Sequence, residues 1–338
     1  MKILLALAYS FLAADASPLV ASTSTSNWAR LKLKSLVSFG DSYTDDSRLW
    51  YFLNHGNTPP PVGWVNPPSY NSADGGRPWV QYVHQYTGCA VYNYAVGGAV
   101  CSKAITPVDF PDIATYEVSA FTADKAYTGS DGKRFLTVSQ NKTAYAIWIG
   151  TNDLGVFVRG QNDKVGQYID CVYDQVKRLY DSGARYFVIL NVSPLDRAPE
   201  YAAPPNDVGA NQYWADKPAD HAAISDHMKN LVASANAAYD KKRTSLPGAE
   251  VAVFDVHSLL TDVLNNGSKY LNGSAEANTT GYANHCSVDR SHCVRNPSPD
   301  SFAWYDELHV SEQAERIVAK NFLEVIKGSS KYAKYWSG

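Results

Sequence analysis

The sequence predicts an α/β protein: a three-layer α/β/α sandwich built on a five-stranded parallel sheet. Three observations predict it. Short apolar runs at residues 33–39, 90–94, 144–149, 186–190 and 251–254 have the composition of strands buried on both faces. Stretches of helical periodicity separate these runs, and strand–helix alternation marks a parallel sheet covered on both sides. Small, polar turns follow the first three runs, on the sheet edge where such folds bind ligands.

Taken in order, the first run enters Gly40-Asp41-Ser42, and residues 78–86 then form a helix. The second run leads into Asn93-Tyr94-Ala95-Val96-Gly97-Gly98-Ala99, and the third into Gly150-Thr151-Asn152-Asp153. In the helix predicted at 165–180, Val165, Ile169, Val172, Val176 and Leu179 recur at helical spacing. Helices are also predicted at 221–241 and 311–326, the last carrying Ile317, Phe322, Val325 and Ile326. Just before it stands Asp306-Glu307-Leu308-His309.

The N-terminus reads as a targeting segment. Lys2 precedes the apolar run Ile3-Leu4-Leu5-Ala6-Leu7-Ala8, and Ala14-Asp15-Ala16 has the small residues of a cleavage site. Residues 1–16 are expected to be a secretory signal peptide, too short in its apolar part to span a bilayer. Residues 17–338 are expected to form one catalytic domain, with no linker, repeat or carbohydrate-module tail. The net charge of −3 comes from interspersed charges of both signs, which argues against nucleic acid or an anionic membrane as partner. The expected product is a secreted, extracellular monomer.

Five cysteines in an oxidising compartment leave one thiol over. Cys286 and Cys293 are close together in a loop-like stretch and are expected to pair. Cys89 with Cys101 is the next expected pair, which leaves Cys171 free in a helix. His285 and His292 beside the Cys286/Cys293 pair give a zinc-like look, but secretion favours a disulfide, and no metal is expected. Glycosylation sequons begin at Asn141, Asn191, Asn266, Asn272 and Asn278. The last three crowd one loop, whereas Asn191 lies at the end of a buried strand with Pro194 after its acceptor Ser193.

Acyl transfer needs a nucleophile, a base and a hole for the oxyanion. A serine hydroxyl attacks only when a neutral imidazole takes its proton, and a carboxylate usually holds that imidazole in the right tautomer. Ser42, His309 and Asp306 supply these types, and the three-residue Asp306-to-His309 spacing lets both side chains share one face of a turn. The Ser42 and Gly98 amides and the Asn152 side chain are the candidate oxyanion donors. Each signal alone is weak: Gly-Asp-Ser is a common turn, Asn152 and Asp306 would serve as helix caps, and paired glycines mark bends. Their joint order after successive strands carries the weight. His257 also follows a strand beside a carboxylate, as a runner-up base. No cofactor is required.

The four blocks resemble those of the SGNH, or GDSL-type, hydrolases. Phe39-Gly40-Asp41-Ser42-Tyr43-Thr44-Asp45 is similar to the nucleophile block, Asn93-x-Ala95-x-x-Gly98 to the glycine block, Gly150-Thr151-Asn152-Asp153 to the asparagine block, and Asp306-x-x-His309 to the base block. Tyr43 departs from the leucine of the name-giving pattern. Thr44 stands where a Gly-x-Ser-x-Gly elbow needs glycine, which argues against the α/β-hydrolase superfamily. The resemblance implies a flavodoxin-like SGNH sandwich with a serine esterase mechanism. Asp74-Gly75-Gly76-Arg77-Pro78-Trp79 and the Cys-containing loop before Asp306 look like secreted fungal acetyl esterases of carbohydrate esterase family 16. That implies removal of O-acetyl groups from short acetylated plant cell-wall oligosaccharides such as xylo-oligosaccharides. Sugar faces stack on aromatic rings, so Trp304, just ahead of Asp306, and Tyr43 are expected at the substrate, although most aromatics serve packing. The alternatives are a GDSL-type lipase, phospholipase or acyltransferase acting on longer acyl esters, and an inactive carbohydrate-binding wall protein.

Overall fold

A computed structural model describes residues 27–67, 69, 72–160 and 163–338. The expected signal peptide lies outside the described residues. In chain order the main elements are β1 (Ser35–Gly40), α1 (Arg48–Asn54), α2 (Trp79–Thr87), β2 (Ala90–Asn93), α3 (Val118–Ala126), β3 (Thr143–Trp148), α4 (Thr151–Arg159), α5 (Val165–Asp181), β4 (Tyr186–Leu190) and α6 (His221–Lys241). There follow β5 (Glu250–Phe254), α7 (Val256–Asn265), the single turn α8 (Gly267–Tyr270), β6 (Asn278–Tyr282), β7 (Asn284–Cys286), β8 (Cys293–Arg295), β9 (Phe302–Trp304), α9 (Glu312–Ile326) and β10 (Ala333–Ser337).

The central sheet has the order β10-β5-β4-β3-β1-β2. The five expected strands are parallel to one another. The sheet nevertheless has six strands, because β10 returns antiparallel along β5 from Ala333 opposite Phe254 to Ser337 opposite Glu250. β10 is half-polar and half-exposed, so it lacks the apolar run of a central strand. It covers what would otherwise be an open edge of a fully buried strand.

Alternate residues of each strand feed two cores. Val37, Phe39, Tyr145, Ile147, Phe187 and Ile189 face one way, against Val172, Val176 and Leu179 of α5 and Met228 and Val232 of α6. Leu36, Ala146, Trp148, Val188, Leu190 and Phe254 face the other, against α2, α7 and α9. Strands buried on both faces are the reason the apolar runs were continuous. α6 starts at Asp220, whose side chain accepts from the Ala223 amide, and α9 starts at Ser311, which accepts from the Ala314 amide.

The cysteine expectation is corrected in part. Cys286 and Cys293 are joined across the β7–β8 hairpin. Cys101, however, pairs with Cys171 on α5, and the buried Cys89 is the free thiol. Cys89 and Cys101 belong to the two different cores, on opposite faces of the sheet, so their nearness in sequence brings them no closer. Asn141, Asn266 and Asn272 are exposed, and Asn278 is half-buried. Asn191 is a further correction: its side chain is buried and donates to Asp255 Oδ1 at 2.8 Å, which leaves no room for a glycan.

Candidate active site

Strand order reverses beside β1, with β2 on one side and β3 on the other, and the crevice at such a switch point is the usual binding place. Ser42 and Asn152 stand there, just beyond the carboxyl ends of β1 and β3. β1 can leave the sheet toward this crevice because of Gly40. Its φ is +151°, and a Cβ there would lie 2.1 Å from the Trp148 carbonyl oxygen. The Thr44 and Asp45 amides both donate to the Asp41 carbonyl, closing a tight turn. Asp41, Tyr43, Thr44 and Asp45 are buried, and Ser42 alone in that turn reaches open space.

The turn is locked to the glycine block. Asn93 donates to the Thr44 carbonyl at 2.6 Å and accepts from the Ser38 hydroxyl at 2.9 Å. Asp45 accepts from the amides of Ser47, Arg48 and Leu49 and, at 2.8 Å, of Gly97. Sequence reasoning missed Asp45 as an organiser, although a buried-looking acid three residues after the serine was a usable signal.

On the far side, the Tyr305 amide donates to the His309 carbonyl, and the Leu308 and His309 amides donate to Asp306 Oδ1 at 2.9 and 2.7 Å. The Tyr43 hydroxyl donates to the Leu308 carbonyl at 2.7 Å and ties this loop to the serine turn. His309 Nδ1 lies 3.0 Å from Asp306 Oδ1, and Nε2 lies 2.7 Å from the Ser42 hydroxyl. The structure thus brings together Ser42, His309 and Asp306 from opposite ends of the chain. Neither the Ser42 nor the Gly98 amide donates to another described residue. Asn152 Nδ2 spends one bond on the Ala99 carbonyl, at 2.9 Å, which aims the amide. Ser42, Gly98, Asn152 and His309 all line one cavity of about 660 Å³.

The profile of the GDSL-like Lipase/Acylhydrolase family matches residues 36–322. The chain belongs to this family. Over 328 residues it is 37% identical to an acetylesterase of Hypocrea jecorina, covering 90% of this chain and 91% of that protein. It is 27% identical over 306 residues to an acetylesterase of Thermothelomyces thermophilus, covering 88% and 89%. Among solved structures, an acetylxylan esterase from Geobacillus stearothermophilus aligns with a TM-score of 0.40 at 15% identity, over 88% of this chain and 96% of that one. As a member of the acylhydrolase family, the protein is a carboxylic ester hydrolase.

Electrostatics in this acylhydrolase follow from burial and charge. Burial alone would lower the His309 pKa. The Asp306 charge and hydrogen bond, with the charges of Asp41 and Asp74, outweigh it and hold the pKa above the ordinary histidine value. Burial pushes Asp306 up, but His309, the Tyr213 hydroxyl and the His309 amide bring it below the usual carboxylate value. Asp41, by contrast, is pushed up to about 6, chiefly by burial.

Two expected substrate residues are not at the cavity. Trp304 is 1% exposed and packs in the core beneath α9. Tyr43 is 2% exposed, with its ring 5.1 Å from Trp148 and 5.6 Å from His309, so it supports the base loop. Strand and turn alternation sends each side chain inward, which neighbourhood in sequence does not reveal. His257 is not among the residues lining the cavity. Among the described residues no group of His, Cys, Asp and Glu could hold a metal ion. The cavity does hold residues that carried no motif: Trp50 and Leu53 of α1, Phe110, Arg159, Tyr213 and Arg290. Tyr213 donates to Asp306 Oδ2 at 2.6 Å and lies 3.2 Å from His309 Nδ1.

Proposed function

We propose that the protein is a secreted serine esterase that removes O-acetyl groups from short acetylated plant cell-wall oligosaccharides. The observation that carries this reading is the continuous Asp306–His309–Ser42 hydrogen-bond chain opening onto a cavity with two free amides beside the hydroxyl. Asp306 keeps the proton of His309 on Nδ1, so Nε2 accepts the Ser42 proton as the hydroxyl attacks the acetyl carbonyl. The Ser42 and Gly98 amides and Asn152 Nδ2 take the charge that develops on the oxygen. His309 then protonates the departing sugar oxygen, which leaves as a hydroxyl, and water, deprotonated by the same imidazole, releases acetate from Ser42.

Two things support a short acyl group. The 37% identical relative is an acetylesterase. The Phe110 ring also closes on the backbone beside the oxyanion position: a Cβ on Gly98 would lie 2.6 Å from it. Two disulfides fit a chain that folds in an oxidising compartment, as secretion requires. A longer-chain lipase is the second reading, favoured by the exposed apolar side chains of Trp50 and Leu53 at the cavity.

The deciding experiment measures acetate release from acetylated xylo-oligosaccharides beside simple esters of increasing acyl length, with Ser42→Ala as blank. Serine-dependent release from the sugars, falling steeply as the acyl chain lengthens, is expected. Rates that rise with acyl length, with little release from the sugars, would move the protein to the lipase side.

A further inference from the structure

The cavity has two chemically distinct walls. Trp50 and Leu53 of α1, 55% and 64% exposed, form one with Phe110. This wall adjoins the glycine block, since Asp45 just before α1 binds Gly97 and Phe110 packs on Gly98. The other wall adjoins His309 and carries two arginines that bracket Tyr213. Arg159, at the end of α4, donates to the Tyr213 carbonyl at 2.9 Å and has its guanidinium 4.6 Å from the Trp214 ring. Arg290 lies 5.2 Å from the Tyr213 ring.

Arg159 props the Tyr213 segment, yet the charge of neither arginine is spent on an acid. Among the described residues, no ion pair joins either one to a carboxylate, whereas Arg316 pairs with both Asp300 and Glu312. Glu200 feels the charge of Lys217 more strongly than that of Arg159, and no hydrogen bond or ion pair joins it to Arg159 among the described residues. Asp289, next to Arg290, spends Oδ1 on Ser287 and on the amide and hydroxyl of Ser291. Asp306 is buried and held by the His309 ring, the Tyr213 hydroxyl and the Leu308 and His309 amides, Asp45 is buried under four amides, and exposed Asp109 sits beside Phe110 on the apolar wall. The backbone that presents Arg290 is also constrained. It adopts φ +59°, uncommon for a residue with a Cβ, at the tip of a hairpin stapled by Cys286–Cys293.

We infer that Arg159 and Arg290 form a subsite for a carboxylate on the saccharide, so that the preferred ester is an acetylated oligosaccharide bearing a uronic acid. A pyranose ring lies against the Trp50 wall, its acetyl group faces Ser42, and the carboxylate reaches the arginines, which match it as planar donors. The substrate part of this inference rests on the saccharide esterase reading above.

The test compares kcat/KM on acetylated xylo-oligosaccharides with and without a glucuronosyl branch, taking the acidic-to-neutral ratio within each variant. Alongside it runs inhibition of 4-nitrophenyl acetate hydrolysis by glucuronate against glucose. The wild type is expected to favour the acidic substrate by about fivefold, the sum of two weak exposed ion pairs, and to lose most of that in about 0.5 M salt. Arg159→Gln/Arg290→Gln should bring the ratio near one, while the remote Arg243→Gln keeps it. An acidic-to-neutral ratio near one in the wild type, or one unchanged in the double variant, overturns the subsite while leaving the saccharide esterase reading intact. Cleavage of neither oligosaccharide, with arginine-dependent inhibition by glucuronate retained, supports the carboxylate subsite and defeats the saccharide reading instead.

Discussion

At the scale of single residues, the site divides into groups that react and groups that aim them. Asn152 spends one amide proton on the Ala99 carbonyl, and in the proposed mechanism the other meets the oxyanion. Asn152→Ala should therefore lower kcat by roughly a hundredfold or more, as loss of one such donor does elsewhere; steady-state kinetics showing only a raised KM would make it a binding residue. Tyr213 acts one bond further out. Its hydroxyl draws charge from Asp306. Tyr213→Phe leaves that charge to act on His309 more fully, so the imidazolium is stabilised. Activity needs neutral imidazole, so kcat/KM falls as pH drops through the His309 pKa, already above its ordinary value. In Tyr213→Phe this acid limb should move to higher pH, with kcat down by about tenfold, the size of one hydrogen bond to a charged group. A pH–rate profile in which the limb stays put would show that Tyr213 only packs. Ser42, Asp306 and His309 were legible because acyl transfer needs these residue types and because the blocks that carry them succeed one another along the chain as in a known family. Tyr213 was not, since nothing in residues 199–214 signals that the segment crosses over to the base loop.

Elements show the same division. The five parallel strands could be read because burial on both faces leaves an unbroken apolar run, and α6 was placed at its observed bounds, His221–Lys241. β10 could not, because an edge strand with Lys334 and Ser337 looks like any exposed tail. Cysteine pairing failed for a topological reason: the face of the sheet, not distance along the chain, decides which sulfurs meet. The Cys101–Cys171 bond staples the segment after the glycine block to α5, across a sequence separation of 70. Replacing both with serine should destabilise the fold by about 2–4 kcal/mol, read as a shift in denaturant midpoint. It should also lower kcat, because Cys101 is two residues from Ala99, the carbonyl that aims Asn152. An unchanged midpoint would mean that the unfolded chain gains little freedom from the cut.

Across the whole molecule, burial of acids dominates the response to pH. Burial holds the carboxyls of Asp153 and Glu200 up to about 7 and that of Asp41 up to about 6. In the unfolded chain such groups ionise near about 4. Between these values the folded state keeps protons that the unfolded state has lost, so stability falls as pH rises through this window. Asp207 and Asp262, shifted down by hydrogen bonds, act in the opposite sense and lose their contribution below about pH 4. Calorimetry should find the highest Tm in mild acid, with a decline toward about pH 8, and Glu200→Gln should flatten part of that decline. A Tm that climbs from mild acid to neutrality would contradict the sign. Catalysis and stability therefore pull apart: the imidazole works best where the scaffold is past its optimum.

With four cysteines oxidised, Cys89 is the sole thiol, sealed in the core against α2, with burial raising its pKa. A thiol reagent added to the native enzyme can react only during excursions that lift α2 off the sheet. The labelling rate is then a clock for those excursions at a single known place, with no engineered probe, and a substrate analogue that slows it would show that filling the cleft quiets the opposite end of β2.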